Sequence, residues 1–310
     1  MKCKKCGNKA VIKLRAHRIA LCREDFLSFV LNRVQQTIKR YKLFVAKERV
    51  VVAVSGGKDS LTLFDILQRL GYPVEGFHID LGIDGFSNRA REAVEVFFAK
   101  REAPLHIRFL REEVGAGMRE IASQVRRPLC SLCGLMRRYI MNRFAWEKRF
   151  SALATGHNLD DEGAALLGNL MRWQIGYLAR QAPVLPAIYP RLAKKAKPLA
   201  LLSEREVLAY CILRAIEYHD EQCPYAKGAT SRSNKEALNL LEYYSPGSKI
   251  RFYQEFLKHQ GIFPDSASHD LRECSMCGFL TNRETCQFCE ILEQYTGSPV
   301  PVRDSETGKG

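Results

Sequence analysis

No run of apolar residues in this chain approaches the length of a membrane span, and the N-terminus lacks the apolar stretch of a signal peptide. We therefore expect a cytosolic (cytoplasmic) protein with no membrane partner. Acidic residues are scarce: 34 Asp and Glu stand against 48 Lys and Arg, a formal net charge of +14. That imbalance favours a polyanionic partner, most simply nucleic acid, over a merely solvated basic surface. The Walker A spacing G-x-x-x-x-G-K-[ST] is missing. No internal repeat appears beyond two cysteine modules near the chain ends.

Cysteine itself is plentiful, with 11 residues. A cytosolic chain does not use them as a disulfide framework. They fall as Cys3/Cys6/Cys22, Cys130/Cys133, Cys211, Cys223, Cys274/Cys277 and Cys286/Cys289, and four of these groups contain C-x-x-C. That spacing points to metals or redox chemistry. Cys211, four residues from Val207 in a helical pattern, reads instead as a small buried hydrophobe.

The 310 residues allow one large domain with appendages, or two domains. After a cysteine-bearing head, Phe26, Phe29, Val30, Val34, Ile38 and Tyr41 recur at helical spacing. Arg49–Val54 is a short β-branched run that reads as a buried parallel strand, and Lys58–Leu70 as a helix ending at Gly71. Strands are expected at Val74–Ile79, Pro104–Leu110 and Ser151–Thr155. Helices are expected at Ser87–Arg101, Gly134–Arg149 and Asp160–Met171. This alternation predicts an α/β fold, a doubly wound parallel sheet. From 173 to 202 the pattern changes to a proline-bearing linker with the basic run Arg191, Lys194, Lys195, Lys197. Ser203 and Glu206 then form a capping box, followed by helices at Ser233–Tyr244 and Lys249–Gln260 and a frayed tail, Arg303–Gly310. The expected division is a zinc-binding head (1–26), an ATP-binding α/β domain (27–202), a helical region (203–268) and a C-terminal zinc ribbon with tail (269–310).

Ser55-Gly56-Gly57-Lys58-Asp59-Ser60 lies between the first sheet strand and its helix, where open α/β sheets bind ligands. The glycines let successive N–H groups converge on an anion, and the helix N-terminus adds positive potential. Ser55 and Ser60 can donate hydroxyl bonds and Lys58 supplies charge. Asp59 repels phosphate unless it holds a bridging Mg²⁺. The hexapeptide resembles the PP-loop of the ATP pyrophosphatase superfamily, whose members split ATP between the α and β phosphates to adenylate a substrate. An ordinary glycine turn is the competing reading. A second candidate loop is Gly156-His157-Asn158-Leu159-Asp160-Asp161-Glu162. One of its aspartates is expected to cap the helix and the other to serve Mg²⁺ or the base.

Cys130 and Cys133 precede Gly134, Arg137 and Arg138. A helix mouth beside arginines is expected to lower thiol pKa. These thiolates fit a redox pair, part of a zinc site or an iron–sulfur cluster, and Cys223 offers a third. An inert buried pair is the alternative. Three ligands on a four-iron cluster leave one iron open to carry sulfide. Cys274, Cys277, Cys286 and Cys289, as C-x2-C-x8-C-x2-C, form a closed tetrahedral zinc site.

Together these features resemble the TtuA-type tRNA 2-thiouridine synthetases, relatives of the tRNA 2-thiocytidine enzymes and of the eukaryotic wobble-uridine thiolases. The likeness spans nearly the whole chain. It rests on M-K-C-K-K-C (Met1–Cys6), A-L-C-R-E-D-F (Ala20–Phe26), A-V-S-G-G-K-D-S (Ala53–Ser60) and C-S-L-C-G-L (Cys130–Leu135). G-H-N-L-D-D-E (Gly156–Glu162), C-P-Y-A-K-G-A (Cys223–Ala229) and the closing cysteine pairs complete it. The 2-thiocytidine enzymes lack both terminal modules, which favours uridine.

The resemblance implies a 4Fe-4S cluster on Cys130, Cys133 and Cys223, and ATP on the PP-loop with Ala53 and Ile79 near the nucleoside and Gly156 closing the site. Asp161 matches the catalytic acid. Arg137 stands where the family commonly has Lys, keeping the charge but changing its geometry. The family's third head cysteine is followed by His three residues on. Here that position is Asp25, which we take as the fourth ligand beside Cys3, Cys6 and Cys22, with His17 as the competitor. The implied activity is adenylation of the uridine C2 oxygen, then sulfide attack from the cluster with loss of AMP. The sulfur comes from a ubiquitin-like thiocarboxylate protein or inorganic sulfide, the target is a T-loop uridine of tRNA, and the enzyme is a homodimer. The competing readings are thiolation of wobble uridine or cytidine, a persulfide–disulfide mechanism without a cluster, and a zinc-ribbon RNA-binding protein without activity. Arg137, Arg138, Arg143, Lys148, Arg149, Lys194, Lys195 and Lys197 are the candidates for gripping tRNA backbone, which makes affinity fall with salt.

Overall fold

The chain is seen in a computed structural model that describes residues 1–83, 85–187, 189, 192–225, 230–264 and 271–297. Arg191, part of the Cys223–Ala229 motif and the Arg303–Gly310 tail lie outside the described residues. The head is an antiparallel hairpin, β1 (Ile12–Leu14) and β2 (Ile19–Leu21), in which Ile12 faces Leu21. Helix α1 (Arg23–Arg40) follows. Its apolar stripe Phe26, Val30, Val34 and Ile38 is fully buried, as the spacing predicts.

The central sheet then builds up by alternation. Strand β3 (Val50–Ala53), helix α2 (Lys58–Arg69), strand β4 (Val74–Asp80), helix α3 (Phe86–Ala99) and strand β5 (Leu105–Phe109) come first. After two short helices, α4 (Leu110–Val114) and α5 (Met118–Gln124), come helix α6 (Leu129–Glu147), strand β6 (Ala152–Thr155) and helix α7 (Leu159–Met171). Helix α8 (Ile175–Arg180) and strands β7 (Val184–Leu185) and β8 (Lys194–Ala196) close the sheet. The strand order is β5-β4-β3-β6-β8-β7, parallel throughout except that β7 runs antiparallel to β8. The α/β fold expected from the alternation is therefore present. Successive strands β3, β4 and β5 progress to one side, and β6 returns to the other flank of β3. The connections leaving β3 and β6 therefore run to opposite sides, the switch point at which open α/β sheets bind ligands in a crevice.

Helices α9 (Glu204–Leu213), α10 (Thr230–Tyr244) and α11 (Ser248–His259) form the C-terminal helical region. The Ser203–Glu206 capping box exists as read: the Ser203 hydroxyl accepts from the Glu206 N–H and the Glu206 carboxylate receives the Ser203 N–H. A short hairpin, β9 (Arg272–Glu273) and β10 (Leu280–Thr281), and helix α12 (Gln287–Thr296) carry the last four cysteines. One continuous core joins Leu14, Leu21 and Phe26 of the head to Val50 and Val52 of β3, Phe64 of α2 and Val207 and Tyr210 of α9. Cys211 is fully buried in it, as expected of a small hydrophobe.

Two sequence expectations fail here. The helix read as starting at Gly134 starts at Leu129, because Pro128 presets the backbone for a first turn and Gly134 is tolerated inside the helix. The stretch read as a linker carries α8, β7 and β8. Lys194 and Lys195 are thus sheet residues between β6 and β7, hidden from a periodicity reading by their charge.

Candidate functional site

The loop after β3 is shaped by its own hydroxyls. The Ser55 N–H donates to Ser60 Oγ (3.1 Å), and Ser60 Oγ donates to the Gly57 carbonyl (3.0 Å), curling the chain into the start of α2. Gly56 adopts φ +86, and a β-carbon there would stand 2.6 Å from the Ala90 carbonyl of α3, so only glycine fits. The loop after β6 lies directly against it: a β-carbon on Gly156 would meet Ser60 N at 2.8 Å. The two glycine loops form one site on the crevice predicted by the strand order.

Both loops bring carboxylates with them. Asp59 accepts from Lys58 Nζ (2.9 Å) and from Asn158 Nδ2 (3.2 Å). Burial, opposed by Lys58 and reinforced by Asp161 and Glu204, leaves the Asp59 carboxyl above its ordinary pKa. Burial alone would lower the Lys58 ammonium, but Asp59 and Glu204 (2.8 Å) outweigh it and raise it. The cap of α7 is Asn158, not either aspartate: its side chain accepts the N–H groups of Asp160 and Asp161, and Asp161 returns the bond to the Asn158 N–H at 3.1 Å. Asp160 is spent structurally. It is buried, pairs with Lys249 at 2.5 Å and accepts the Glu204 N–H at 2.8 Å. Asp161 faces the cleft and pairs with Lys235 Nζ at 2.6 Å.

The cleft between the loops has a volume of about 430 Å³, within the range of nucleotide-sized sites. Ala53, Ser55, Asp59, Ser60, Ile79, Gly156 and Asp161 all line it, and Arg137 and Arg138 of α6 form the opposite wall. Lys58 bridges Asp59 on the rim of this cleft and Glu204, and lines a second cavity of about 460 Å³ beneath the head.

Cys130 and Cys133 sit at i and i+3 on one face of α6, in its first turns. Cys130 Sγ donates to the Tyr225 carbonyl (3.3 Å), which draws the Cys223 segment to the same place. The expectation of lowered thiol pKa fails for Cys133. Burial pushes its thiol up, against the opposing pull of Arg137 and Arg138.

Two tight donor sets stand apart from this cleft. Among the described residues, Cys274, Cys277, Cys286 and Cys289 have donor atoms within 4.8 Å of one another, and so do Cys3, Cys6, Cys22 and Asp25. Either set can hold a metal ion. His17 is not in the second set. Its Nε2 is 3.0 Å from Glu206 of α9. The C-terminal set rests on the helix of the central thiols, where Tyr139 of α6 stacks on Phe288 of α12 at 3.7 Å.

The basic candidates divide. Lys194 pairs with Glu48 (3.4 Å), Lys197 with the buried Glu162 (2.8 Å) and Arg143 with Glu147 (2.6 Å), so these three are not free phosphate binders. Burial beside Arg138 and Arg180 lowers the Lys195 ammonium to about 8. Three residues of the site carry no signal in the sequence reading: Glu204, Lys235 and His78. His78 is buried beside the cleft, with Nδ1 donating to the Val54 carbonyl (2.8 Å) and Nε2 lacking a partner among the described residues. Asn158 was legible as the first residue of an N-x-x-D capping box.

Comparison with known proteins identifies the family. Residues 2–27 match the N-terminal LIM domain of 2-thiouridine synthetase TtuA, and residues 29–224 match the PP-loop domain. The tRNA-5-methyluridine(54) 2-sulfurtransferase of Thermus thermophilus is 47% identical over 94% of this chain and 91% of its own length. The protein of the same name from Pyrococcus horikoshii is 44% identical over 99% of each. Among solved structures, the U34-tRNA thiolase NcsA from Methanococcus maripaludis, with its [4Fe-4S] cluster, superposes with a TM-score of 0.83 at 28% identity, covering 98% of this chain and 99% of that one.

Proposed function

The chain belongs to the TtuA-type 2-thiouridine synthetases of the PP-loop superfamily, and from that membership we propose that it is a tRNA uridine 2-sulfurtransferase acting on the T-loop uridine at position 54. The observation that carries the reading is the meeting of the Ser55–Ser60 and Gly156–Asp161 loops across one cleft whose far wall is the thiol-bearing helix α6.

The residues divide the work as follows. Ala53 and Ile79 flank the nucleoside of ATP, and Gly156 lets the backbone close on it. The Ser55–Ser60 loop and the N-terminus of α2 hold phosphate. Arg137 adds cationic charge from the cleft wall and Lys58 from its bridge between Asp59 and Glu204, and Asp59 would hold Mg²⁺, which would neutralise phosphate charge. Attack of the uridine O2 on the α-phosphate breaks the α–β bond and releases pyrophosphate. Asp161, on the cleft wall, takes the N3 proton released as C2=N3 forms. Hydrosulfide then adds at C2, AMP leaves with the former carbonyl oxygen, and the sulfur's proton is lost as the thiocarbonyl and N3–H are restored.

Cys130, Cys133 and Cys223 fit a 4Fe-4S cluster. Two thiols share a helix face, and the third segment is tied to it through Tyr225. Cys130, Cys133 and Cys223 would hold the cluster, which would supply a carrier for the sulfur beside the ATP cleft. The two tight sets, Cys274/Cys277/Cys286/Cys289 and Cys3/Cys6/Cys22/Asp25, are the places for two structural zinc ions. The sulfur donor is inorganic sulfide or a protein thiocarboxylate, the working form is a homodimer, and the site of action is the cytoplasm. No helix among the described residues is long and apolar enough to cross a membrane.

The test is AMP and pyrophosphate release by anaerobically prepared protein. It should require tRNA, and Lys58→Ala should lose it. Release that ignores tRNA, or none at all with the iron–sulfur protein, overturns the reading.

A further inference from the structure

The Asp161 carboxylate is held from a direction the motifs do not reveal. Lys235 Nζ, from α10, lies 2.6 Å from Asp161 Oδ1 and 3.3 Å from Glu204 Oε2. The other Glu204 oxygen lies 2.8 Å from Lys58 Nζ, and Lys58 contacts Asp59 at 2.9 Å. Asn158 closes the circuit, donating its side chain to Asp59 and its backbone N–H to Asp161. Three carboxylates and two ammonium groups therefore form one ring that links the phosphate loop, the loop after β6, α9 and α10.

Lys235 reaches Asp161 because α10 packs very closely on α7. Gly163, Ala164 and Gly168 present almost no side chain on that face. A β-carbon on Gly168 would stand 2.8 Å from Asn234 Nδ2, which donates to the Ala164 carbonyl at 3.1 Å. The Lys235 ammonium, which burial alone would weaken, is strengthened by Asp161 and Glu204. Both partners of Lys235 are about a third exposed, so the ring is open to an arriving ligand. Phosphate oxygens approaching Lys58 compete with Glu204 for its ammonium, and Glu204 is left to Lys235. In the sequence Lys235 also follows Cys223 by only twelve positions.

We propose that Lys235 is a positioning residue of the thiolation reaction: it fixes the Asp161 carboxylate at the mouth of the ATP cleft, and Glu204, shared with Lys58, ties that hold to the phosphate loop. The inference rests on the thiolase reading, and its test separates the two. A passive role, in which Lys235 merely glues α10 to α7, predicts that any weakening of that packing has the same effect.

The experiment compares wild type with Lys235→Met, Lys235→Arg and Asn234→Ala, all as full-length anaerobic protein. Initial rates of tRNA-dependent AMP formation are measured against ATP concentration, and melting is followed in parallel. Lys235→Met should lower kcat by about tenfold or more, the scale of one lost polar contact in the transition state, with KM for ATP within about twofold. Lys235→Arg should recover most of the loss. Asn234→Ala, which loosens the helix contact without touching Asp161, should keep kcat close to wild type. A Lys235→Met protein that turns over like wild type, an Asn234→Ala protein that falls equally far, or an arginine that restores nothing overturns the proposal. Wild-type protein that forms no AMP with tRNA instead overturns the function on which it rests.

Discussion

Gly156 lies so close to Ser60 that a β-carbon on it would stand 2.8 Å from the Ser60 nitrogen and 2.9 Å from the Asp59 carbonyl carbon. Neither neighbour is a side-chain end that can swing aside, so Gly156→Ala must displace one glycine loop from the other. A shift of this kind in a positioned reaction costs about a hundredfold in rate. The expected result is loss of AMP formation on that scale with a folded protein, measured by AMP release and circular dichroism. Near-normal turnover in Gly156→Ala would show that the two loops do not work as one site.

The head offers a choice between two residues that geometry separates. Asp25 Oδ2 accepts from Cys3 Sγ at 3.0 Å and from Cys22 Sγ at 3.3 Å, while His17 is engaged by Glu206 on α9. Zinc per chain should drop from about two to about one in Asp25→Ala. It should stay at two in His17→Ala. Elemental analysis of both variants decides, and full zinc in Asp25→Ala would return the fourth position to another ligand.

Lysines 194 and 197 should be poor contributors to tRNA binding. Lys197 neutralises the buried Glu162, which also accepts from Tyr253 Oη at 3.1 Å. Lys197→Ala should cost about 3 kcal/mol of stability by leaving a buried carboxylate unpaired. Neither Lys194→Ala nor Lys197→Ala should change the slope of log affinity against log salt, because neither side chain is free to meet a phosphate. Binding titrations at several salt concentrations, with denaturant unfolding of Lys197→Ala, check both halves.

Asp65 sets an acid limit on the fold. It is almost wholly buried in α2 and accepts from Arg101 (3.1 Å), Arg214 (3.1 Å) and Tyr210 (2.9 Å). Burial would raise its carboxyl, but Arg214, Tyr210 and Arg101 together hold it below the usual value. The folded state therefore binds the proton more weakly than the unfolded chain. Its contribution is complete above about pH 4, where the unfolded aspartate is ionised, and is lost as pH falls through the lower folded value. Asp65→Asn should cost about 3 kcal/mol at pH 7, with the gap to wild type narrowing below about pH 4. A gap that stays constant with pH would remove Asp65 from the account.

What the sequence made legible follows from chemistry that is local in the chain. The Ser55–Ser60 loop, the Gly156 loop and the cysteine pairs are short motifs whose function needs those residues side by side, so they read directly. The first strand, β3, reads because burial on both faces makes it continuously apolar, and α2 reads because it follows the glycine turn. Strand β8 is hidden because two of its three residues are lysines, and the start of α6 is obscured because Gly134, a poor helix former, lies inside it. Lys235 and Glu204 were invisible for a different reason. Their role depends on α9 and α10 folding back onto the phosphate loop, a juxtaposition that no spacing in the chain records. The rise of the Cys133 thiol, against expectation, likewise needs burial that only packing reveals.

The most direct test of the account is the nucleoside formed. Anaerobic protein is incubated with tRNA, ATP and sulfide, and the RNA is digested and mapped by mass spectrometry. The account predicts a 2-thiolated uridine at position 54, formed in step with AMP and lost in Cys223→Ser. Thiolation of a cytidine or of a wobble uridine, or thiolation that proceeds without AMP, would contradict it.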